Sequence, residues 1–250
     1  MRAFHFLVAV ASLAVAGCGS SSSSNTAIDA SGGDDASVDG STTTPGMLTL
    51  SGIAREISAG GQTPIAGVML TAYNAADDSV LGMAASAADG TFSITAKAPA
   101  GTDGYLKATT PGTGQNAYKD TYLYPPATLT ANLSNVPVFV LKVSTYDLAN
   151  RLLGNGQTAQ NGWIALIVQD AAMMPVAGAK VTSTPMGQVN YNANNLPSPG
   201  AMSTAADGIA YDTNIAVGTV SVKATKPGST FAMHSIKVRP DVVTLTLITP

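Results

Sequence analysis

Two histidines, His5 and His234, and one cysteine, Cys18, are all the imidazole and thiol chemistry in this 250-residue chain. Transition-metal sites need several such ligands, so a His/Cys centre is excluded, and a single thiol permits no intramolecular disulfide. Glu56 is the only glutamate, so a glycosidase-type carboxylate pair would have to be drawn from aspartates. The most conspicuous pair, Asp77-Asp78, falls in a stretch that reads as a hairpin loop, where Asp suits turn geometry. Asp89-Gly90 and Asp207-Gly208 each follow Ala-Ala. Their recurrence points to structural turns rather than to chemistry performed twice. No Gly-x-Ser-x-Gly elbow, phosphate loop or Gly-x-Gly-x-x-Gly occurs. The chain is therefore expected to be non-enzymatic, with no catalytic residues, no metal and no cofactor.

The residues left to meet a ligand are aromatic and amide. Tyr118, Asp120, Tyr122 and Tyr124 share parity, so on one strand all four would line one face. Rings beside a carboxylate suit a sugar. The competing reading packs the row against a helix or the other half of the chain, with hydroxyls at the edge. Gln188 to Asn195 is amide-rich with one aromatic and no charge. That composition can hydrogen-bond neutral polar ligands, but an ordinary exposed hairpin loop is the preferred reading.

Arg2 followed by the apolar run Phe4 to Val15 has the charge and size of a signal peptide. It is too short for a membrane-spanning helix, which needs about 20 apolar residues. Leu13-Ala14-Val15-Ala16-Gly17-Cys18 resembles a bacterial lipobox. That resemblance implies removal of residues 1–17, lipidation of Cys18, and anchoring in a membrane. Gly19, by resemblance to Gram-negative lipoproteins, implies the outer membrane, on its periplasmic or surface face. The Ser/Gly/Asp-rich segment 18–46 is expected to be a disordered tether reaching roughly 30 Å. It holds Asp29, Asp34, Asp35 and Asp39 and no base, and the remainder has equal numbers of acids and bases once Arg2 is set aside. No nucleic-acid footprint is present.

The elements that would position these residues come as two copies. Pro64-Ile65-Ala66-Gly67-Val68 recurs as Pro175-Val176-Ala177-Gly178-Ala179, Ala87-Ala88-Asp89-Gly90 as Ala205-Ala206-Asp207-Gly208, and Lys107-Ala108-Thr109 as Lys223-Ala224-Thr225. The order is the same and the offset nearly constant. Each copy reads as short strands: Val68 to Tyr73, Thr91 to Thr95 with Phe92 and Ile94 on one face, Trp163 to Val168, and Val220 to Ala224. Val242 to Ile248 is expected to close the chain with Val243, Leu245 and Leu247 inward. Thr145 to Leu153 is expected to be a short helix capped by Ser144 or Thr145. Asp147 would sit in its first turn, Leu148 and Leu152 on one face, and Gly154 just past its end. A charged fraction of 11% with abundant Thr, Val, Gly and Pro fits an all-β sandwich.

Pro64, Gly67, Val68, Asp89, Gly90 and Phe92 resemble the carboxypeptidase regulatory-like domain, a transthyretin-type sandwich. Pro175, Gly178, Ala179, Asp207 and Gly208 match the same pattern, with Ala210 in place of the aromatic and an insertion from Pro185 to Pro199. The resemblance implies two tandem Ig-like or transthyretin-like sandwiches, 47–142 and 162–250, joined by a connector at 143–161. Enzymes on related sandwiches, the intradiol dioxygenases and ureide hydrolases, need several histidines that this chain lacks. The expected role is a structural, spacer or adhesion lipoprotein of the envelope, contacting another envelope protein or a polysaccharide. The alternative is a carbohydrate- or peptidoglycan-binding lipoprotein.

Overall fold

The computed structural model describes residues 46–58, 61–154 and 156–250. The expected signal segment, the expected lipidation site Cys18 and the expected tether up to residue 45 lie outside the described residues. Over the described residues the molecule is an all-β sandwich protein with one α-helix.

The first copy supplies β1 (Met47–Ser58), β2 (Gly61–Pro64), β3 (Met69–Asn74), β4 (Val80–Ala85), β5 (Thr91–Lys97), β6 (Gly104–Thr109), β7 (Tyr118–Lys119), β8 (Thr121–Tyr124) and β9 (Leu133–Lys142). Strict alternation makes β5 two-sided: Phe92, Ile94 and Ala96 are buried and the residues between them are exposed. β5 pairs antiparallel with β1, whose other edge pairs in parallel with β9. The facing layer runs β4-β3-β6-β8, and between the layers lie Leu50, Leu70, Ile94, Leu106 and Val138.

The second copy supplies β10 (Gly162–Val168), β11 (Lys180–Thr184), β12 (Gln188–Ala193), β13 (Leu196–Ser198), β14 (Ile209–Ile215), β15 (Gly218–Thr225), β16 (His234–Val238) and β17 (Val243–Ile248). β14-β10-β17 repeats the plan of β5-β1-β9, again with the last strand parallel to the middle one. β11-β15-β16 forms the second layer.

The copies are joined by pairing as well as by the helix. β17 runs parallel to β8, from Val243 opposite Thr121 to Thr246 opposite Tyr124. One layer of each copy thereby merges into a nine-stranded sheet, β13-β12-β14-β10-β17-β8-β6-β3-β4. Side-chain parity places β11-β15-β16 on one face of that sheet, against Ile164, Leu166 and Tyr124. The β1-β5-β9 layer lies on the opposite face, against Leu70, Ala72 and Leu106.

This two-sided covering corrects the expectation for the last strand. Val243 and Leu245 are buried, but Leu247 is only half-buried, and Thr244 and Thr246, expected outward, are buried too. A strand covered on both faces loses its solvent side. Thr246 adapts by donating its hydroxyl to Tyr124 O at 3.1 Å, and it pairs with His234 Nδ1 at 2.8 Å.

The helix, α1, spans Val143–Leu153 and follows β9 without a loop. Neither Ser144 nor Thr145 caps it: Lys142 occupies the cap position without a side-chain bond, and Val143 N–H donates to Ala117 O at 2.9 Å. No acid lies in the first turn, so Asp147 is not there, and the buried face is Tyr146, Ala149 and Leu153 rather than Leu148 and Leu152. The end of β9 sets the start of the helix, which shifts its phase. Gly154 terminates it in the left-handed conformation, as expected.

The repeated Asp-Gly turns share one geometry. Gly90 and Gly208 have positive φ, and a Cβ on either would lie 2.6 Å from a backbone oxygen, that of Ala54 or Val168. Asp89 Oδ1 accepts from Thr91 N at 3.0 Å, and Asp207 Oδ1 from Ile209 N at 3.1 Å. Just before each motif sits a hydroxyl that sequence reading passed over. Ser86 donates to Ile65 O and accepts from Val68 N, while Thr204 donates to Val176 O and accepts from Ala179 N. Each buried hydroxyl staples the Pro-x-x-Gly segment to the turn. The legible signal was a Ser or Thr directly preceding Ala-Ala-Asp-Gly in both copies.

Candidate functional site

The tyrosine row does not stay together. The strand is interrupted at Asp120, leaving Tyr118 on β7 beside β9 while Tyr122 and Tyr124 lie on β8 in the nine-stranded sheet. Tyr118 donates to Glu56 Oε2, and Lys142 reaches Glu56 Oε1 at 3.1 Å and lies over the Tyr118 ring. The only glutamate is thus held in a structural ion pair. Burial, and then the bond to Glu56, push the Tyr118 phenol up to about 12. Asp120 pairs with Lys107 at 2.8 Å, and Lys107 lies over the Tyr122 ring.

Tyr122 and Tyr124 instead join a cluster at the junction of the copies. The Tyr105 ring stacks on Tyr73 at 5.2 Å and on Tyr124 at 5.0 Å, with Tyr122 at 5.9 Å. Arg239, just past β16, lays its guanidinium 4.7 Å from the Tyr105 ring and 4.3 Å from the Tyr122 ring. The same group donates to Tyr124 Oη and Tyr105 Oη, both at 2.8 Å, and pairs with Asp78 Oδ1 at 3.3 Å. Tyr105 donates to Asp78 Oδ1 at 2.8 Å, Lys237 pairs with Asp78 Oδ2, and Tyr124 donates to Lys237 O at 3.0 Å. The hydrogen bonds from Lys237 and then Tyr105 hold Asp78 below the usual carboxylate range. Burial, and then the bond to Asp78, raise Tyr105.

Asp78, in the β3–β4 loop of the first copy, is therefore the anion for Lys237 and Arg239 of the second. A planar guanidinium lying over two neighbouring rings and forked to two phenols is a geometry lysine cannot reproduce. This cluster can hold two sheets in fixed orientation. Tyr122 and Tyr124 are 8% and 3% exposed, with ring faces covered by Arg239 and Tyr105, so neither offers an open platform. Sequence parity could not reveal this cluster, because Arg239 and Lys237 lie more than a hundred residues from Asp78 and the tyrosines they meet.

The amide-rich segment is not a loop. Its first six residues form β12, and Asn194 and Asn195, both with positive φ, make the two-residue turn into β13. Asn190 and Asn192 are buried: Asn190 donates to Gln188 O, and Asn192 donates to Asp207 Oδ2 at 2.6 Å. Val181 N–H donates to Tyr191 Oη at 2.9 Å. The two amide donors and the Tyr191 hydroxyl are thus committed to internal bonds, while the buried Asn192 Oδ1 has no hydrogen-bond partner. His234 is half-buried, and desolvation holds its imidazole below the ordinary value. Among the described residues no cluster of His, Cys, Asp or Glu could hold a metal ion.

No family model matches the chain, and no curated protein matches it. Among solved structures it is similar to the shaft pilin SpaA of Lactobacillus rhamnosus GG, at 14% identity over 82% of this chain and 98% of that one, with a TM-score of 0.29. The Streptococcal ancillary pilin aligns at 12% identity over 83% of this chain and 63% of its own, with a TM-score of 0.27. The minor pilin of Streptococcus agalactiae aligns at 11% over 81% and 95%, with a TM-score of 0.25. At these TM-scores the likenesses carry no inference about assembly or partners.

Proposed function

We propose that the chain is a non-enzymatic structural, spacer or adhesion module of the cell envelope, carried on a lipid at Cys18 and holding its two repeats as one stiff unit. The regions are those read from the sequence: a removed signal at 1–17, a tether at 18–46, sandwiches at 47–142 and 162–250, and a connector at 143–161. The observation that carries the reading is the β8–β17 pairing, which makes one sheet of both repeats. A spacer transmits position only if its parts do not pivot, and interdomain motion is the default where such an interface is small. The lipobox-like ending supports the anchor, and the absence of a recognisable catalytic constellation in the sequence supports the non-enzymatic role.

Spin labels on cysteines introduced at the exposed positions Ser93 and Thr219, in a Cys18→Ala background, test the stiffness. One narrow distance distribution is expected, and a broad one refutes the single unit. Cys18→Ala itself should move the protein out of the detergent-phase membrane fraction. The polysaccharide reading draws no support from the covered tyrosine rings. Saturable binding to peptidoglycan that Tyr122→Ala abolished, with the fold intact, would restore it.

A further inference from the structure

We propose that an apolar cavity at the junction of the repeats is a binding site for a small amphipathic molecule: a compact hydrocarbon body bearing one hydrogen-bond donor. The cavity measures about 80 Å³. Leu81, Leu106 and Leu129 of the first repeat line it, with Ile167, Leu247 and Gln169 of the second, and no charged residue is among its lining. Ile167 and Leu247 are direct partners in the β10–β17 ladder, and Gln169 follows Ile167 at the same parity, so all three belong to one face.

Gln169 specifies the ligand. It is 2% exposed, and its Oε1 accepts no hydrogen bond. Buried carbonyl oxygens are normally satisfied, so this one calls for a donor brought by the occupant. The surrounding leucine, isoleucine and proline side chains favour hydrocarbon for the rest. Water alone is a poor filling, because an ordered water needs two to four polar partners. At about 80 Å³ the space is smaller than the roughly 150 Å³ of an apolar cavity that takes benzene, so a ring would seat in it in part, with its remainder at the half-buried rim. Leu81, Ile167 and Leu247 are half-buried, which leaves a way in from solvent.

Benzyl alcohol and toluene are matched probes, alike in hydrocarbon and differing in the donor. Titrations followed by methyl NMR of the full chain should show both shifting the Leu81, Ile167 and Leu247 resonances. Benzyl alcohol is expected to bind about tenfold more tightly, the scale of one hydrogen bond to a buried acceptor. Gln169→Leu should abolish that preference while keeping toluene, and Leu247→Trp should fill the space and abolish both. Unchanged spectra with either probe overturn the site. So does an undiminished preference in Gln169→Leu. Should Leu247→Trp not fold, the Gln169→Leu comparison decides alone.

Discussion

Asp212 makes the folded chain lose stability as the pH rises from about 4 to about 6, opposite to the usual behaviour of carboxylates. It lies on β14, opposite Ile164 and Val189, between the nine-stranded sheet and the β11 layer. It is fully buried, and it makes no ion pair among the described residues. Neither oxygen has a hydrogen-bonded partner; the Ser183 hydroxyl is near enough to favour the charged form but not in bonding geometry. Gly187 crosses so close that a Cβ there would lie 2.1 Å from Oδ1. Burial lifts the carboxyl from 3.8 to about 6. Between those values the folded chain keeps a proton that the unfolded chain has lost, so raising the pH favours unfolding. The full contribution is present below 3.8 and gone above about 6, a loss of about 3 kcal/mol at 1.36 kcal/mol per pH unit. His234, held below its ordinary value of 6.5 by burial, works in the opposite direction as the pH rises toward that value, so the clean measurement is a difference. Urea unfolding of the wild type and Asp212→Asn from pH 4 to 7, a window that omits the part already lost at pH 4, should give a stability gap that changes by about 2 kcal/mol, whatever its offset. Parallel profiles would refute the reasoning.

Two further outcomes follow from the junction and the turns. Arg239→Ala removes two phenol hydrogen bonds, two ring contacts and one of the partners of Asp78. It should cost about 2–3 kcal/mol, read as a fall in the urea midpoint, with Arg239→Lys restoring less than half of it. Gly90→Ala and Gly208→Ala meet both a positive φ and a backbone oxygen, so each should cost at least about 2 kcal/mol. Equal thermal shifts in the two variants would match their equal geometry, and a neutral result at either would show that the turn relaxes.

The chain by itself determined everything that repeats locally. Strict alternation at Thr91 to Thr95 gave a strand with Phe92 and Ile94 inward, and recurrence of Ala-Ala-Asp-Gly placed the same turn in both copies. Gly154 marked the helix end because a left-handed residue is a local requirement. What escaped was set by segments far apart in the chain. Thr244 and Thr246 read as solvent-facing, and only the layer above β17 buries them. The tyrosine parity was real for β8 but ended at Asp120, and the cation it served, Arg239, belongs to the other repeat. Nothing in the sequence singles out Asp212, whose burial without a partner exists only once the sheet closes over it. Periodicity reports which side of one strand differs from the other. Whether the polar side meets water or another sheet depends on which edges pair, and here the parallel contact of β17 with β8 decided it.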